Sequence, residues 1–566
     1  MNALDDEFDV VVLGSGAAGL TTATVAAHLG MKVLLAEKEH QFGGSTALSG
    51  GVVWIPNNPE MHKLGMSDSV EAARSYLTKV LGNKIRYDLV DAFLANGPDM
   101  VTFMHKHTEL RLISRPIAPD YYPELDGASP GGRALDPQIF DGRRLGKLFS
   151  RLRWPIKEFL VFGGMMVGRR EIDQLLGSMR SPQNFAVSAK MILQFLAQKL
   201  SHGRGTRLIA GNSLAAQLLK SASDAGVELR NEVQIDALES ESGRINAVRV
   251  TYGGKQQVWR AKLGIVLAGG GSAANLKTMS EILQTPEQHY TMAPKSSTGG
   301  LQKLAVLHGA VIDDAVVDPA NFSPVSVMKD AGKEIRFPHL FLDRAKPGLI
   351  AVNQAGRRFV DEASSYHQFV QGMLADSSLS VPAWLVCDAR FLRKYGMGLV
   401  RPGIGSRKRF LDTKYLMTGK TIAELAQAIG VPAGPLESEI EKHNRYAIDG
   451  HDPDFGKGSN IYDRHLGDAA NGPNPCLGPI SAAPFYAIKV YPGDIGSTQG
   501  LRTDANARVL NADGHPINGL YACGNDMNSV MAGTYPGAGI TLGPALTFGY
   551  IIANTLNRER QNKPQI

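Results

Sequence analysis

The sequence predicts an α/β protein: a discontinuous Rossmann-type dinucleotide-binding domain into which an α+β cap is inserted. Three features carry this expectation. A complete glycine fingerprint stands between two buried strands near the start of the chain, two further strand-and-glycine units recur far downstream, and the stretch between those two lacks the signature. At 566 residues the chain exceeds one ordinary domain and can bury a large core.

The first unit reads strand, turn, helix, strand. Phe8–Leu13 (Phe-Asp-Val-Val-Val-Leu) is the apolar run of a strand buried on both faces of a parallel sheet. Gly14-Ser15-Gly16-Ala17-Ala18-Gly19 comes next, then a helix over Thr21–Leu29 and a second strand, Lys32–Ala36, closed by Glu37. The glycines let the backbone approach a pyrophosphate at the helix N-terminus, and the acid about 20 residues on accepts from ribose hydroxyls. The stretch after Glu37 favours FAD over NAD. Lys38 leads into a small-residue loop, Phe42–Gly51, in which Gly44, Ser45, Thr46, Ser49, Gly50 and Gly51 can pass close to a flavin; with a single complete fingerprint, NAD(P)H is not expected as a second cofactor.

Gly264–Leu267 reads as a further buried strand ending in Ala268-Gly269-Gly270-Gly271. Leu520–Cys523 repeats the pattern before Gly524-Asn525-Asp526, and a helix is expected over Thr541–Asn557. Two parts of the chain returning to one cofactor make its domain discontinuous: residues 1–320 and 488–566, with the cap at 321–487. Leu214–Ala225 reads as a helix and Val227–Val233 as a strand whose Val233 touches the adenine. The cap carries helical stretches Ile422–Ile429 and Pro435–Ala447, and the Pro/Gly-rich run Asn471–Pro484 is its exit hinge.

Composition narrows the partners. The net charge of +6 arises from 60 basic and 54 acidic residues, too small an excess for nucleic acid, and no aromatic-basic repeat supports one. Cys387, Cys476 and Cys523 share no metal spacing and form no disulfide framework, so a reducing cytoplasm is expected and no metal. Met1–Glu7 is acidic and without a signal-peptide core, and the apolar runs fall short of the ~20 residues a spanning helix needs. Residues 143–170 interleave Arg143, Arg144, Lys147, Arg151, Arg153, Lys157, Arg169 and Arg170 with Phe149, Trp154, Ile156, Phe159, Leu160, Phe162, Met165 and Met166. The segment, part of an insertion over about 143–200, either packs on the cofactor domain or rests peripherally on the inner face of the cytoplasmic membrane.

The order of these blocks resembles the fumarate reductase/succinate dehydrogenase-like flavoproteins over nearly the whole chain. Within them it is similar to the 3-ketosteroid Δ1-dehydrogenases, on the strings Phe-Gly-Gly-Ser-Thr-Ala-Leu-Ser-Gly-Gly (42–51), Asp-Tyr-Tyr-Pro (120–123), Pro-Gly-Gly-Arg (130–133), Glu-Ala-Ser-Ser-Tyr (362–366) and Tyr-Pro-Gly-Ala-Gly (535–539). The resemblance implies FAD held non-covalently, since the 42–51 loop has no histidine, with Gly539, Thr541 and Leu542 among its contacts. Where the fumarate reductases carry an arginine proton donor after Arg-Phe-Val-(Asn/Asp)-Glu, this chain runs from Arg358 to Glu362 and on to Tyr366. Where they carry a carboxylate-clamping arginine, it has Tyr535. Bidentate arginine is the natural carboxylate receptor, so a hydrophobic ketone is expected in place of a dicarboxylate.

The resemblance assigns Tyr535 and the Gly539 N–H to the C3 ketone as an oxyanion hole. Tyr366 becomes the C2 base with Tyr122 hydrogen-bonded to it, and C1 hydride goes to flavin N5. Tyr121 competes with Tyr122 for that place. Trp54, Tyr121, Phe322 and Tyr535 are the expected walls of the steroid slot, and a quinone or dye-like compound is the expected electron acceptor. A 3-ketosteroid Δ4-(5α)-dehydrogenase, an enone reductase and a flavin-containing steroid-binding protein are the competing readings.

Overall fold

The computed structural model describes residues 6–168, 171, 181–403 and 405–562. Its centre is an eight-stranded sheet whose main path runs 508–510, 516–522, 255–267, β1 (Asp6–Leu13), β2 (Val33–Ala36) and 228–230. From 516–522 to 228–230 these strands pair in parallel, and 508–510 closes one edge antiparallel. Val10, Val11 and Val12 are fully buried, as a strand covered on both faces requires. The strand Lys255–Leu267 has two partners: its first half pairs antiparallel with Arg244–Tyr252 in a hairpin flap, and its second half pairs with β1.

Helix α1 (Ala17–His28) comes directly after β1 and is almost wholly buried. Two glycines permit its close seating. A Cβ at Gly14, whose φ is +115°, would lie 2.2 Å from the Ala268 carbonyl oxygen, and one at Gly19 would lie 2.0 Å from that of Gly14.

The remaining strands belong to smaller sheets. One has four strands, in the order 349–352, 383–388, 485–490, 416–419, with a core of its own around Leu349, Leu385, Phe391 and Ile488. Strand Phe485–Val490 lies in that sheet along its whole length and runs across position 487, the expected limit of the cap. A three-stranded sheet, 290–291, 493–497 and 320–322, stands beside the junction. Helices Ile422–Ile429 and Ala433–Asp449 cover one face of the four-stranded sheet. The run Asn471–Pro484 is a loop, pinned where the Asn471 amide donates to the carbonyls of Asn474 and Leu477.

Insertion residues 143–168 divide. Phe149, Leu160 and Met165 are buried, and Arg204 lies over the rings of Phe149 and Trp154. Phe159 meets Phe337 at 5.4 Å, and Arg401 donates to the Leu160 carbonyl, which ties the segment to the cap. The exposed apolar side chains lie mostly further on, along helix Pro182–His202: Phe185, Leu193, Leu196 and Leu200. Arg169 and Arg170 lie outside the described residues.

Candidate active site and cofactor cradle

The N-terminus of α1 is built to face an anion. Its N-cap is Gly16, which has no side chain of its own to cap the helix, and no acid stands in its first turn. A Cβ at Gly16 would meet nothing nearer than Thr46 Oγ1 at 3.7 Å, and one at Gly50 would meet nothing within 4 Å. Helix N-termini left in this state bind phosphates through the backbone N–H groups and the aligned peptide dipoles. Thr46 accepts from Ala17 N, which brings the Phe42–Gly51 loop against the helix start, beside Ser45.

Glu37 is nearly buried and accepts from both the N–H and the hydroxyl of Ser15. Val233 is fully buried and donates its N–H to the Glu37 carbonyl. Lys38 reaches the Ser296 carbonyl. Asp526 accepts from the N–H groups of Gly269 and Gly271, so it clamps the two downstream strand ends together. A small cavity of about 30 Å³ lies beside Gly524 and Asn525, against Thr541 at the start of α4, the helix that includes Leu542–Asn562, and is also lined by Ser497, Thr498 and Pro544. The open glycine positions at the start of α1 and along the Phe42–Gly51 loop fit the close backbone approach of a flavin dinucleotide.

Four tyrosines meet beside this cradle. Tyr366 opens α2 (Tyr366–Ala375), whose N-cap Ser365 and Gln368 form a capping box that fixes where the helix begins. The Tyr121 hydroxyl donates to that of Tyr366 at 3.2 Å. The Tyr121 ring stacks on Tyr535 with centroids 5.6 Å apart and lies 4.7 Å from Tyr462, which belongs to α3 (Ile461–Leu466). Tyr366 and Tyr535 meet edge to face at 5.1 Å. All four are buried. Burial pushes the phenols of Tyr366 and Tyr121 well above the ordinary tyrosine range, and it raises Tyr535 and Tyr462 as well.

The second phenol at Tyr366 is therefore Tyr121, and the expected bond from Tyr122 is corrected. Tyr122 is only half-buried, and burial together with the neighbouring Asp318 carboxylate pushes its phenol up to about 12. Tyr121 is held by its surroundings. Its N–H donates to the Pro536 carbonyl at 2.9 Å, as does the Tyr76 hydroxyl at 2.6 Å. Asp120 accepts from Trp54 Nε1, Ser129 N and Arg133, and Arg133 also forks onto Asp68. This network accounts for the 120–123 and 130–133 strings.

Trp54, expected as a slot wall, lies behind the 535–539 turn instead. It stacks on Phe93, bonds to Asp120, and would meet a Cβ at Gly537 at 2.9 Å. Phe322 stacks on His367, and the His367 ring lies 5.8 Å from Tyr535. His367 Nδ1 accepts from Phe322 N and its Nε2 bonds to Asp318, which fixes the tautomer. Gly539 has φ +97°; its carbonyl accepts from Trp54, Leu542 and Gly543, and its N–H donates in none of the hydrogen bonds of the described residues. Tyr462 and His367 had no motif to mark them. Tyr462 stands 96 positions beyond Tyr366, and only folding brings α3 to the cluster.

A Rossmann-type parallel sheet, a glycine turn open to an anion and two further strand ends clamped beside it by Asp526 define an FAD-binding flavoprotein. The model of the FAD binding domain matches residues 9–542. The chain is 36% identical to a 3-oxosteroid 1-dehydrogenase of Mycobacterium tuberculosis (strain ATCC 25618 / H37Rv), over 97% of this chain and 98% of that one. It is also 36% identical to the 4-oxocyclohex-2-ene-1-carboxylate 5-dehydrogenase of Sinomonas cyclohexanicum, over 96% of this chain and 92% of that one. Among solved structures it is similar to the 3-ketosteroid delta1-dehydrogenase of Sterolibacterium denitrificans in complex with 1,4-androstadiene-3,17-dione, with TM-score 0.90 and 36% identity, covering 98% of this chain and 100% of that one. The chain belongs to the 3-oxosteroid 1-dehydrogenase family of FAD-binding flavoproteins.

Proposed function

We propose that this chain is an FAD-dependent 3-ketosteroid Δ1-dehydrogenase that converts a 3-oxo-Δ4-steroid to the 3-oxo-Δ1,4-steroid. The observation that carries the reading is the buried cluster of Tyr366, Tyr121 and Tyr535, in which Tyr366 and Tyr535 are surrounded by hydroxyls and rings alone. Such a site suits a neutral, apolar ketone and gives a carboxylate no partner. Tyr535 and the Gly539 N–H polarise the ketone oxygen, and Tyr366 takes the C2 proton, which the polarised ketone has acidified. Tyr121 donates to the Tyr366 oxygen and so favours its charged form over the cost of burial. FAD, when bound, supplies the hydride-accepting capacity.

Residues 1–320 and 491–566 form the cofactor domain in this reading, and 321–490 the cap. A quinone or dye-like compound reoxidises the enzyme. No helix of the described residues is long and apolar enough to cross a membrane. Membrane contact is assigned to helix Pro182–His202, where Phe185, Leu193, Leu196 and Leu200 are exposed beside Lys199, as an interfacial helix requires. Replacing those four side chains with serine should abolish co-sedimentation with anionic liposomes and leave turnover of a water-soluble ketosteroid intact; undiminished lipid binding would remove this assignment.

The test of the reaction is mass spectrometry of androst-4-ene-3,17-dione after incubation with the FAD-loaded protein and an artificial acceptor. The expected product has lost two hydrogens, located at C1–C2 by NMR. Tyr366→Phe should lower turnover by about 10³-fold or more while steroid binding persists. Turnover of 4-oxocyclohex-2-ene-1-carboxylate and not of the steroid would favour the second reading that the Sinomonas relative suggests.

A further inference from the structure

A base made of buried phenols has an electrostatic difficulty. To accept a C2 proton, Tyr366 must first lose its own, and its burial opposes that loss. One hydroxyl donor is a partial remedy. The cluster has a second, a full positive charge one residue removed.

Arg344 is 2% exposed and enters no ion pair among the described residues. Four of its N–H groups donate to backbone carbonyls: those of His339 and Leu340 at 2.8 Å, Glu362 at 2.9 Å and Ser364 at 3.0 Å. Two of these carbonyls lie in the lead-in to α2, immediately ahead of Tyr366. The guanidinium also lies 5.0 Å over the ring of Phe369, three residues on from Tyr366 on the same helix face. The next residue, Ala345, packs against Ala363 and against Leu466, which shares the face of α3 that carries Tyr462. Arg344 is thus wedged between the two cap helices that supply tyrosines to the cluster.

Its surroundings leave the charge available. Asp343 is engaged by His339 Nδ1 at 2.7 Å and by Gly398 N. Asp361 accepts from Ala363 N and shares a hydrogen bond with Asp463. Glu362 pairs with Arg358 and Lys457. The cation Lys346 is bound to the carbonyls of Leu466 and Gly467 at the end of α3. Tyr462 and Tyr121 of the cluster lie within electrostatic range of Arg344, as do Asp343 and Asp361. A cation that meets only carbonyl dipoles keeps most of its field for nearby groups in a low-dielectric interior.

We propose that Arg344 is the positive charge against which the tyrosine cluster gives up its proton, a positioning residue that acts through Tyr462 and Tyr121 on Tyr366. The inference rests on the reading of Tyr366 as the C2 base. The proton leaves for solvent before turnover, the cluster holds the resulting negative charge opposite Arg344, and the Tyr366 oxygen is free to take the C2 proton. A guanidinium suits this place because it stays protonated at every pH at which the enzyme would turn over.

The test compares FAD-loaded wild type, Arg344→Met, Arg344→Lys and Tyr462→Phe by two readouts: the pH dependence of kcat/KM for androst-4-ene-3,17-dione, and the near-ultraviolet phenolate titration taken as a difference against Tyr366→Phe. Arg344→Met should move both ascending limbs to higher pH, with a fall of about tenfold or more at a fixed pH on the limb. Arg344→Lys should keep the limb in place while lowering kcat, because it retains the charge and loses the fork. A limb unmoved in Arg344→Met, with equal losses in Met and Lys, would make Arg344 a brace for the chain and overturn the proposal. Should Arg344→Met fail to fold, Tyr462→Phe decides: it leaves the carbonyl bonds intact, must shift the limb upward, and overturns the proposal if its profile matches wild type. If the wild type does not dehydrogenate the steroid, the functional reading fails, and the phenolate titration still judges Arg344.

Discussion

Replacing Tyr121 with phenylalanine separates two adjacent tyrosines between which the sequence does not choose. The substitution removes one hydroxyl and leaves the ring, so the stack on Tyr535 at 5.6 Å and the contact with Tyr462 at 4.7 Å persist. The structural loss is the hydrogen bond to Tyr366 at 3.2 Å and the one shared with Tyr462, about 1 kcal/mol each. The functional loss is larger, because in the active form the acceptor is a phenolate and a hydrogen bond to a charged group contributes about 1.5–3 kcal/mol. The Tyr366 phenol then ionises about one to two pH units higher, and turnover at a pH below its ionisation falls by about 10- to 100-fold. Tyr122→Phe removes a half-buried hydroxyl that does not touch Tyr366, so its effect should stay within about threefold. Steady-state rates at saturating steroid with a dye acceptor measure both, and flavin absorbance confirms that each variant is loaded. A loss at Tyr122→Phe equal to or greater than that at Tyr121→Phe would refute the assignment.

Gly539→Ala places a methyl group 2.6 Å from the Val52 carbonyl oxygen and 2.8 Å from Trp54 N, at a φ of +97°. The neighbour is backbone hydrogen-bonded to Gly539 itself, so the turn must yield; a loss of about 2–4 kcal/mol in urea unfolding is expected, with kcat falling as the 539 N–H leaves the ketone. His443 is buried, donates from Nε2 to the Gly478 carbonyl, and is pushed down to about 3 by burial and by the Lys457 and Arg358 charges. It is neutral in the folded chain while the unfolded chain protonates below ~6.5, so the stability it contributes is present above that pH and lost as pH falls toward 3. At pH 5 the loss is about 2 kcal/mol, and the drop in melting temperature between pH 7 and pH 5 should shrink in His443→Gln.

The cofactor half of the molecule was legible because its signals are local. The Gly14–Gly19 turn, Glu37 and the strand ends at Ala268 and Gly524 each sit beside the strand that positions them, so spacing alone places them in one sheet. The cap was less legible. Its helices Ile422–Ile429 and Ala433–Asp449 show ordinary amphipathic patterning, but strand 485–490 joins its sheet by an antiparallel pairing with 383–388 across nearly a hundred residues. In the site, Tyr366 and Tyr535 were found through motifs. Tyr121 and Tyr122 stayed undecided because a dipeptide does not say which member faces inward; the bond from Tyr121 N to the Pro536 carbonyl makes that choice. Trp54 was misplaced for a related reason, since an indole beside a glycine-rich turn can line a pocket or lie behind it, and the Asp120 carboxylate draws it behind. Arg344 had no sequence signal at all, as its partners are carbonyls that any residue would present.

The cluster also ties chemistry to assembly. Tyr121 and Tyr535 are held together by the Pro536 turn, which packs with the large sheet and α4, whereas Tyr366 and Tyr462 come from cap helices. The hydrogen bond that tunes Tyr366 therefore crosses from one part of the chain to the other. With the cap displaced, Tyr366 would lose its donor from Tyr121 and its edge-to-face contact with Tyr535 together. Water would then solvate its hydroxyl, and the ketone-binding pair Tyr535 and Gly539 would stand without a base. Burial, which makes each phenol a poorer acid, is thus the condition under which the cluster discriminates for a neutral ring ketone, and Tyr121 and Arg344 offset that cost where the cap meets the cofactor domain.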